Sequence, residues 1–92
     1  MRWLRSLEKT ASPPSYAIER VSDLYYVSGM VRKEPGRAKR ALLSIADQFD
    51  EQLDRSYSEI ARKAASVVLD NPETAKFMID AMIKSIGMEL ED

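Results

Sequence analysis

Two residue types are missing from this 92-residue chain, which contains no cysteine and no histidine. The lack of cysteine excludes disulfide bonds and a thiolate nucleophile, and the lack of both excludes zinc sites of the Cys/His type. Imidazole acid–base chemistry is excluded as well. No base is left to activate a serine, and there is no glycine-rich phosphate loop. We therefore expect a protein that is not an enzyme and that holds no metal and no cofactor.

Glycine and proline are also scarce, at three and four residues, so few positions force the chain out of regular structure. Hydrophobic residues make up 45% of the chain, which is enough for one core. No run approaches the roughly 20 apolar residues that span a bilayer. The first ten residues carry cations but no long apolar stretch, so we expect no signal peptide and a cytoplasmic protein. The chain has few Asn and Gln residues and many Lys, Arg and Glu residues, a composition typical of proteins from thermophiles.

Apolar residues recur at helical spacing along most of the chain, and no segment alternates as a strand does. This pattern predicts an all-α fold, a small bundle of four to five helices in a single domain over residues 1–92. The predicted elements are a short helix at 2–9, helices at about 16–33, 37–55, 57–69 and 72–86, and an acidic tail at 88–92.

The least certain boundary lies inside residues 37–69, where an apolar stripe that includes Leu53 continues without proline. Ser56 and Glu59 have the spacing of a capping box, which favours a break near residues 55–58. The alternative is one unbroken helix of about 50 Å that finds a partner in a dimer. Further along, Gly87 is the expected C-cap of the last helix.

The net charge of −1 is unevenly distributed. Residues 1–40 contain nine Lys/Arg and four Asp/Glu, a net charge of +5, whereas residues 41–92 contain five and eleven, a net charge of −6. Such asymmetry bears on binding partners rather than on the fold.

Five cations within nine residues surround the Pro35–Gly36 turn, namely Arg32, Lys33, Arg37, Lys39 and Arg40. Three of them fall at the start of a helix, where the dipole disfavours positive charge, so they indicate a site for phosphate or an acidic partner. The alternative is a solvated turn whose arginines pair with nearby acids. Arg2 and Arg5 extend the patch if the first helix folds beside the turn.

Tyr25 and Tyr26 point about 100° apart on a helix, so both cannot lie in the core. We expect Tyr25 in the core and Tyr26 covering its rim. The alternative is that one of the two is a surface aromatic for stacking or for a protein interface, and Tyr26 is the candidate. An acidic line at Asp47, Asp50, Glu51 and Asp54 is expected to be a solvated face, with Glu51 paired to Arg55 and no bound metal.

These features favour a non-catalytic helical subunit of a larger assembly. Its basic N-terminal half would contact nucleic-acid phosphates or an acidic partner, and its acidic half would contact a neighbouring subunit. In size, helix content and basic turn the chain is similar to the small helical subunits of CRISPR interference complexes, although no motif carries that similarity. One alternative is a helix-turn-helix-like DNA-binding regulator that uses residues 56–86. Another is a structural homodimer that binds no nucleic acid.

Overall fold

The structure, a computed structural model, describes residues 15–91 and the side chains of residues 16–89. It contains four helices, α1 (Ser15–Met30), α2 (Pro35–Glu51), α3 (Arg55–Val67) and α4 (Pro72–Glu91). Residues 15–91 include no strand, which confirms the all-α prediction. The helix predicted at residues 2–9 lies outside the described residues.

The four helices form a ring in which each packs against two neighbours: α1 contacts α2 and α4, and α3 contacts the same two. This arrangement is a small helical bundle. Its centre is filled by side chains from all four helices, the largest being Phe49, Leu24, Leu42, Ile79 and Met82.

The rotation of α1 about its axis is set by Leu24 and Val27, and Val31 continues their stripe just past the end of the helix; all three are at most 1% exposed. With this stripe in the core, Tyr25 and Tyr26 both point outward and are 63% and 61% exposed. The prediction that Tyr25 lies in the core is therefore wrong. Because each residue advances about 100°, Tyr25 and Tyr26 lie on opposite flanks of this stripe, each roughly 130° from its centre.

The chain does break between α2 and α3, but at residues 52–54 rather than 55–58. Leu53 adopts a left-handed backbone conformation with φ of 60°. Its amide donates to the Asp50 carbonyl at 3.0 Å, and the Asp54 amide donates to the Phe49 carbonyl at 2.8 Å. This pair of bonds is a Schellman motif, in which the left-handed position is usually glycine. Leu53 is therefore 92% exposed rather than part of the apolar stripe.

The cap of α3 also differs from the predicted capping box. The Asp54 side chain accepts from the Tyr57 amide at 3.5 Å, so α3 begins at Arg55 and Ser56 lies inside the helix. Ser58 instead donates to the Arg55 carbonyl at 3.1 Å. An acidic residue at this position satisfies a free amide and favours the helix dipole at the same time.

The contact between α2 and α3 depends on small side chains. Ala61, Ala64 and Ala65 are at most 1% exposed, which lets the two helix backbones approach closely. At one end of this contact the rings of Phe49 and Tyr57 lie 5.4 Å apart. The two helices run antiparallel, because residue 49 of α2 meets the start of α3.

The last helix begins as predicted and ends later than predicted. Asn71 caps it by accepting from the Thr74 amide at 3.2 Å, and Pro72 occupies its first position. However, α4 continues through Gly87 to Glu91, so Gly87 is not a C-cap and the tail predicted from residue 88 is helical up to residue 91. The Tyr57 hydroxyl holds these final turns against α3, since it lies 2.7 Å from the Ser85 hydroxyl and 3.3 Å from a Glu89 oxygen.

Candidate functional site

The basic turn connects α1 to α2 and occupies residues 31–34. Backbone bonds close it: the amides of Lys33 and Glu34 both donate to the Met30 carbonyl, at 3.1 and 2.8 Å. Pro35 then starts α2 without requiring a partner for a backbone N–H, because proline has none. This tight connection places Arg32 and Lys33 next to the first two turns of α2, which carry the other three cations.

Arg32 is held by α4 rather than left free. Its guanidinium Nη2 donates to Glu73 Oε1 at 2.8 Å, and its Nε donates to the second carboxylate oxygen. This hydrogen bond lowers the pKa of Glu73 and raises the pKa of Arg32. A bidentate pair of this kind holds α4 beside the turn. It also occupies two of the guanidinium donors, so Arg32 is less available to bind a third group.

Arg37 links α2 to Tyr26 on α1. Its guanidinium donates to the Tyr26 hydroxyl at 3.2 Å, while the Glu34 carboxylate lies 3.5 Å from the other terminal nitrogen. All three side chains are more than half exposed. The contact presents an aromatic ring and a guanidinium next to each other on the outer surface of the α1–α2 pair.

Lys33, Lys39 and Arg40 form no ion pair with any residue in the range 16–89. Lys33 and Arg40 are exposed, and Lys39 is half-buried. Arg40 lies three residues after Arg37 and therefore shares its side of α2. Lys39 leaves the helix on the side that turns toward α3. Arg2 and Arg5 lie outside the described residues.

The turn and α2 together carry a local excess of positive charge. Of the five cations, Arg32 and Arg37 have acidic partners in Glu73 and Glu34, and the first turn of α2 has no acid of its own. Glu34 precedes α2, but its side chain makes no capping hydrogen bond there. The sequence interpretation of arginines paired with nearby acids therefore describes two of the five residues, and Lys33, Lys39 and Arg40 remain. We call Tyr26, Lys33, Arg37 and Arg40 the basic surface, and Lys39, on the α3 side of α2, lies outside it.

The acidic line predicted on α2 is organised around one arginine of α3. Arg62 lies 2.8 Å from carboxylate oxygens of both Asp47 and Asp50. Hydrogen bonding from Ser58 and from Arg62 lowers the pKa of Asp50. The predicted pair of Glu51 with Arg55 does not form, because α2 ends at Glu51 and the helical spacing is lost. Within residues 16–89, no three acidic side chains are gathered as metal ligands would be.

The α3–α4 pair bears on the helix-turn-helix alternative. The connection at residues 68–71 is four residues long, which matches such units. However, Lys76 of α4 is engaged by Ser28 at 3.0 Å and by Asp80 at 3.1 Å. The outward face of α4 instead presents Phe77 and Met88, which suits a phosphate-lined groove poorly.

The part of the chain that the structure describes contains no helix with the length and apolarity to cross a bilayer. No protein-family model matches the sequence. Comparison with curated proteins and with solved structures gives no match either. Inference about function therefore depends on the chain's own surfaces.

Proposed function

We propose that this chain is a non-catalytic helical subunit of a larger assembly that binds single-stranded nucleic acid through its basic surface. The observation that carries the proposal is the exposed Tyr26 ring held beside the Arg37 guanidinium, with Arg40 on the same side of α2. Aromatic rings stack on bases of any sequence, and neighbouring cations neutralise phosphates. The acidic half of the chain is then available for a neighbouring subunit.

Two features favour nucleic acid over an acidic protein as the ligand. An acidic protein surface needs cations but not an exposed aromatic ring, whereas single-stranded nucleic acid uses both. Lys33 and Arg40 are also exposed, form no ion pair within residues 16–89 and lie close to Arg37 at the turn and the start of α2, so phosphates can reach all three cations.

Fluorescence anisotropy with labelled single-stranded RNA, single-stranded DNA and duplex DNA at several salt concentrations tests the proposal. We expect single strands to bind with a slope of log K against log salt of about −2, corresponding to roughly three neutralised phosphates. Preferred binding to duplex DNA would favour the helix-turn-helix alternative. No binding at low salt would overturn the proposal and direct attention to an acidic protein partner.

A charge-matched pair of variants separates a local site from general electrostatics. The double variant Arg37→Glu with Arg40→Glu changes the net charge by the same amount as Arg55→Glu with Lys63→Glu, both of which are exposed on α3. We expect the first pair to abolish binding and the second to weaken it only slightly. Equal loss in both variants would show that net charge rather than the basic surface governs binding.

Tyr26 can be tested with its neighbour as the control. Stacking contributes about 1–3 kcal/mol per base, so Tyr26→Ala should weaken single-strand binding roughly 5- to 150-fold. Tyr26→Phe keeps the ring and should bind nearly as the unmodified chain does. Tyr25→Ala removes an equally exposed ring from a different side of α1 and should have no effect. A similar loss from Tyr25→Ala would contradict the assignment.

A further inference from the structure

A small cavity lies at the end of the bundle where α1 begins and α4 ends. Ser28, near the end of α1, donates to Asp80 of α4 at 2.8 Å. Just past the end of α1, Arg32 pairs with Glu73 at the start of α4, so the two helices are antiparallel. The first turn of α1 is therefore level with the final turns of α4. The end of α2 and the start of α3 border the same space.

The walls of the cavity are mostly aromatic and aliphatic, with carboxylates beside them. The lining residues come from all four helices and from the turn at residues 52–54, and they are Tyr16, Ala17, Phe49, Asp54, Tyr57, Ile86 and Glu89. Phe49 and Ile86 are at most 3% exposed, whereas both tyrosines and both acids are half-buried. The volume of about 20 Å³ has room for one group the size of a water molecule. A ligand can therefore place only a small head group inside.

The two carboxylates at the cavity have no cationic partner among residues 16–89, since neither Asp54 nor Glu89 forms an ion pair there. Asp54 accepts from the Tyr57 amide at 3.5 Å, and Glu89 accepts from the Tyr57 hydroxyl at 3.3 Å. The acids thus lie toward opposite ends of one tyrosine. Each keeps lone pairs for further donors, because an ionised carboxylate accepts about four hydrogen bonds.

The two tyrosines report a negative potential in this space. Burial raises the pKa of Tyr16, and the charges of Asp54 and Glu89 raise it further. Burial also raises the pKa of Tyr57; a hydrogen bond with Ser85 opposes this rise, and the same two carboxylates add to it. Both acids therefore act on both hydroxyls. A cation placed among these groups is attracted strongly, because little water is present to screen the charges.

The lining and the volume together select the kind of cation. Aromatic rings attract organic cations, whereas a hard metal ion takes six or more oxygen ligands, and within residues 16–89 no three acidic side chains are gathered. A quaternary ammonium is larger than the cavity and has no N–H to donate. A primary ammonium is close to a water molecule in size and has three N–H donors, which match the carboxylates and the tyrosine hydroxyls.

From this match we infer that the cavity binds the head of a primary alkylammonium. Its nitrogen lies among the rings of Tyr16, Phe49 and Tyr57 and donates to the acids, and its alkyl chain leaves toward solvent past the half-buried side chains. A lysine of a neighbouring protein and a free polyamine both present this group. The site lies at the opposite end of the bundle from the basic surface, so it does not depend on nucleic-acid binding.

An NMR titration of the full chain with n-butylammonium chloride at constant ionic strength tests the inference. We expect the amide signals of Ala17, Tyr57 and Ile86 to shift, while those of residues 33–40 stay in place. The Kd should be on the order of 1 mM, since the ligand has only about five non-hydrogen atoms. n-Butanol has no charge, and tetramethylammonium has no N–H and is too large. Each should bind at least about tenfold more weakly than n-butylammonium.

A pair of charge-matched double variants locates the site. Asp54→Asn with Glu89→Gln removes both carboxylate charges and preserves their shapes, and asparagine caps a helix as well as aspartate does. Glu59→Gln with Asp70→Asn removes two exposed charges elsewhere. We expect the first pair to weaken n-butylammonium binding at least about tenfold and the second to leave it within about twofold. Circular dichroism should show unchanged helicity in both.

Three outcomes would overturn the inference: no shift of the cavity amides at about ten times the expected Kd, equal weakening in both double variants, or n-butanol binding as tightly as n-butylammonium. The proposed single-strand binding would survive each of them. Titrations with N-acetyl-lysine methylamide and with putrescine then distinguish the sources of the ammonium group. Tighter binding of the lysine analogue indicates a protein lysine, tighter binding of putrescine indicates a polyamine, and either result supports the site.

Discussion

Replacing Leu53 by glycine should stabilise the protein. Leu53 holds φ of 60° in the Schellman turn that ends α2, and its side chain is 92% exposed. A left-handed conformation costs a residue with a Cβ about 1–2 kcal/mol, whereas glycine adopts it freely. Glycine also loses about 0.5–1 kcal/mol more conformational entropy on folding, which offsets part of the gain. The net increase in the free energy of unfolding should be about 1 kcal/mol.

Urea denaturation followed by circular dichroism measures this effect, and a thermal melt should show the midpoint rising by about 4–8 °C. Leu53→Ala is the matched control, because it removes the same exposed side chain and keeps the Cβ. It should differ from the unmodified chain by less than about 0.5 kcal/mol. If the glycine variant is no more stable than the alanine variant, with an unchanged denaturant slope, then the left-handed residue stores no strain and the reasoning fails.

Three further predictions concern the interior and the acid stability. Arg20 is 5% exposed and contacts Gln48 and Asp23, so Arg20→Ala should cost about 3 kcal/mol in urea denaturation. Arg20→Met fills the same space without a charge and should stay within about 1 kcal/mol of the unmodified chain; an equal loss in both variants would show that the polar contacts themselves stabilise the fold. Ala64→Leu overpacks the buried side of α3 and should cost about 1–3 kcal/mol, whereas no loss would mean that the core beside Ala64 has room for three more carbons. Finally, hydrogen bonds from Ser58 and Arg62 lower the pKa of Asp50. The folded state therefore binds its proton less readily than the unfolded state, and the resulting stability is present above the ordinary pKa of 3.8 and lost as the pH falls below it. Thermal midpoints between about pH 3 and pH 6 should depend less on pH in Asp50→Asn than in the unmodified chain, and identical profiles would refute the contribution.

The helical architecture followed from the sequence because its main signals are local. Pro35 and Pro72 mark the starts of α2 and α4, and apolar spacing gives the core-facing side of each helix. The sequence predicts the break between α2 and α3 too late, because Leu53 is an unusual residue for a left-handed turn and its apolar character extends the stripe. Asp54 is a better signal for the start of α3, because it lies three residues before Tyr57, the spacing at which an N-cap side chain accepts from a helix amide.

The sequence also contains the signal for the outward position of Tyr25. To use that signal, one must decide which of two apolar stripes on α1 is buried. Leu24, Val27 and Val31 define one stripe, and Ile18 and Tyr25 define another roughly 140° away. Only packing against α2 and α4 decides which stripe is buried.

Of the two ion pairs at the basic turn, one could be predicted from the sequence and the other could not. Glu34 is only three residues from Arg37, so their pairing is a local feature. Glu73 is 41 residues from Arg32 and meets it only once α4 has folded against α1.

The antiparallel packing of α1 on α4 gives the molecule two distinct poles. The starts of α2 and α4 share one pole with the basic turn. The start of α1, the end of α4 and the turn at residues 52–54 share the other. A fluorophore or tether attached after Glu91 would therefore sit about 30 Å from the basic turn, the length of a 20-residue helix. A chain anchored at this far pole would leave the basic turn at the other pole open to solvent.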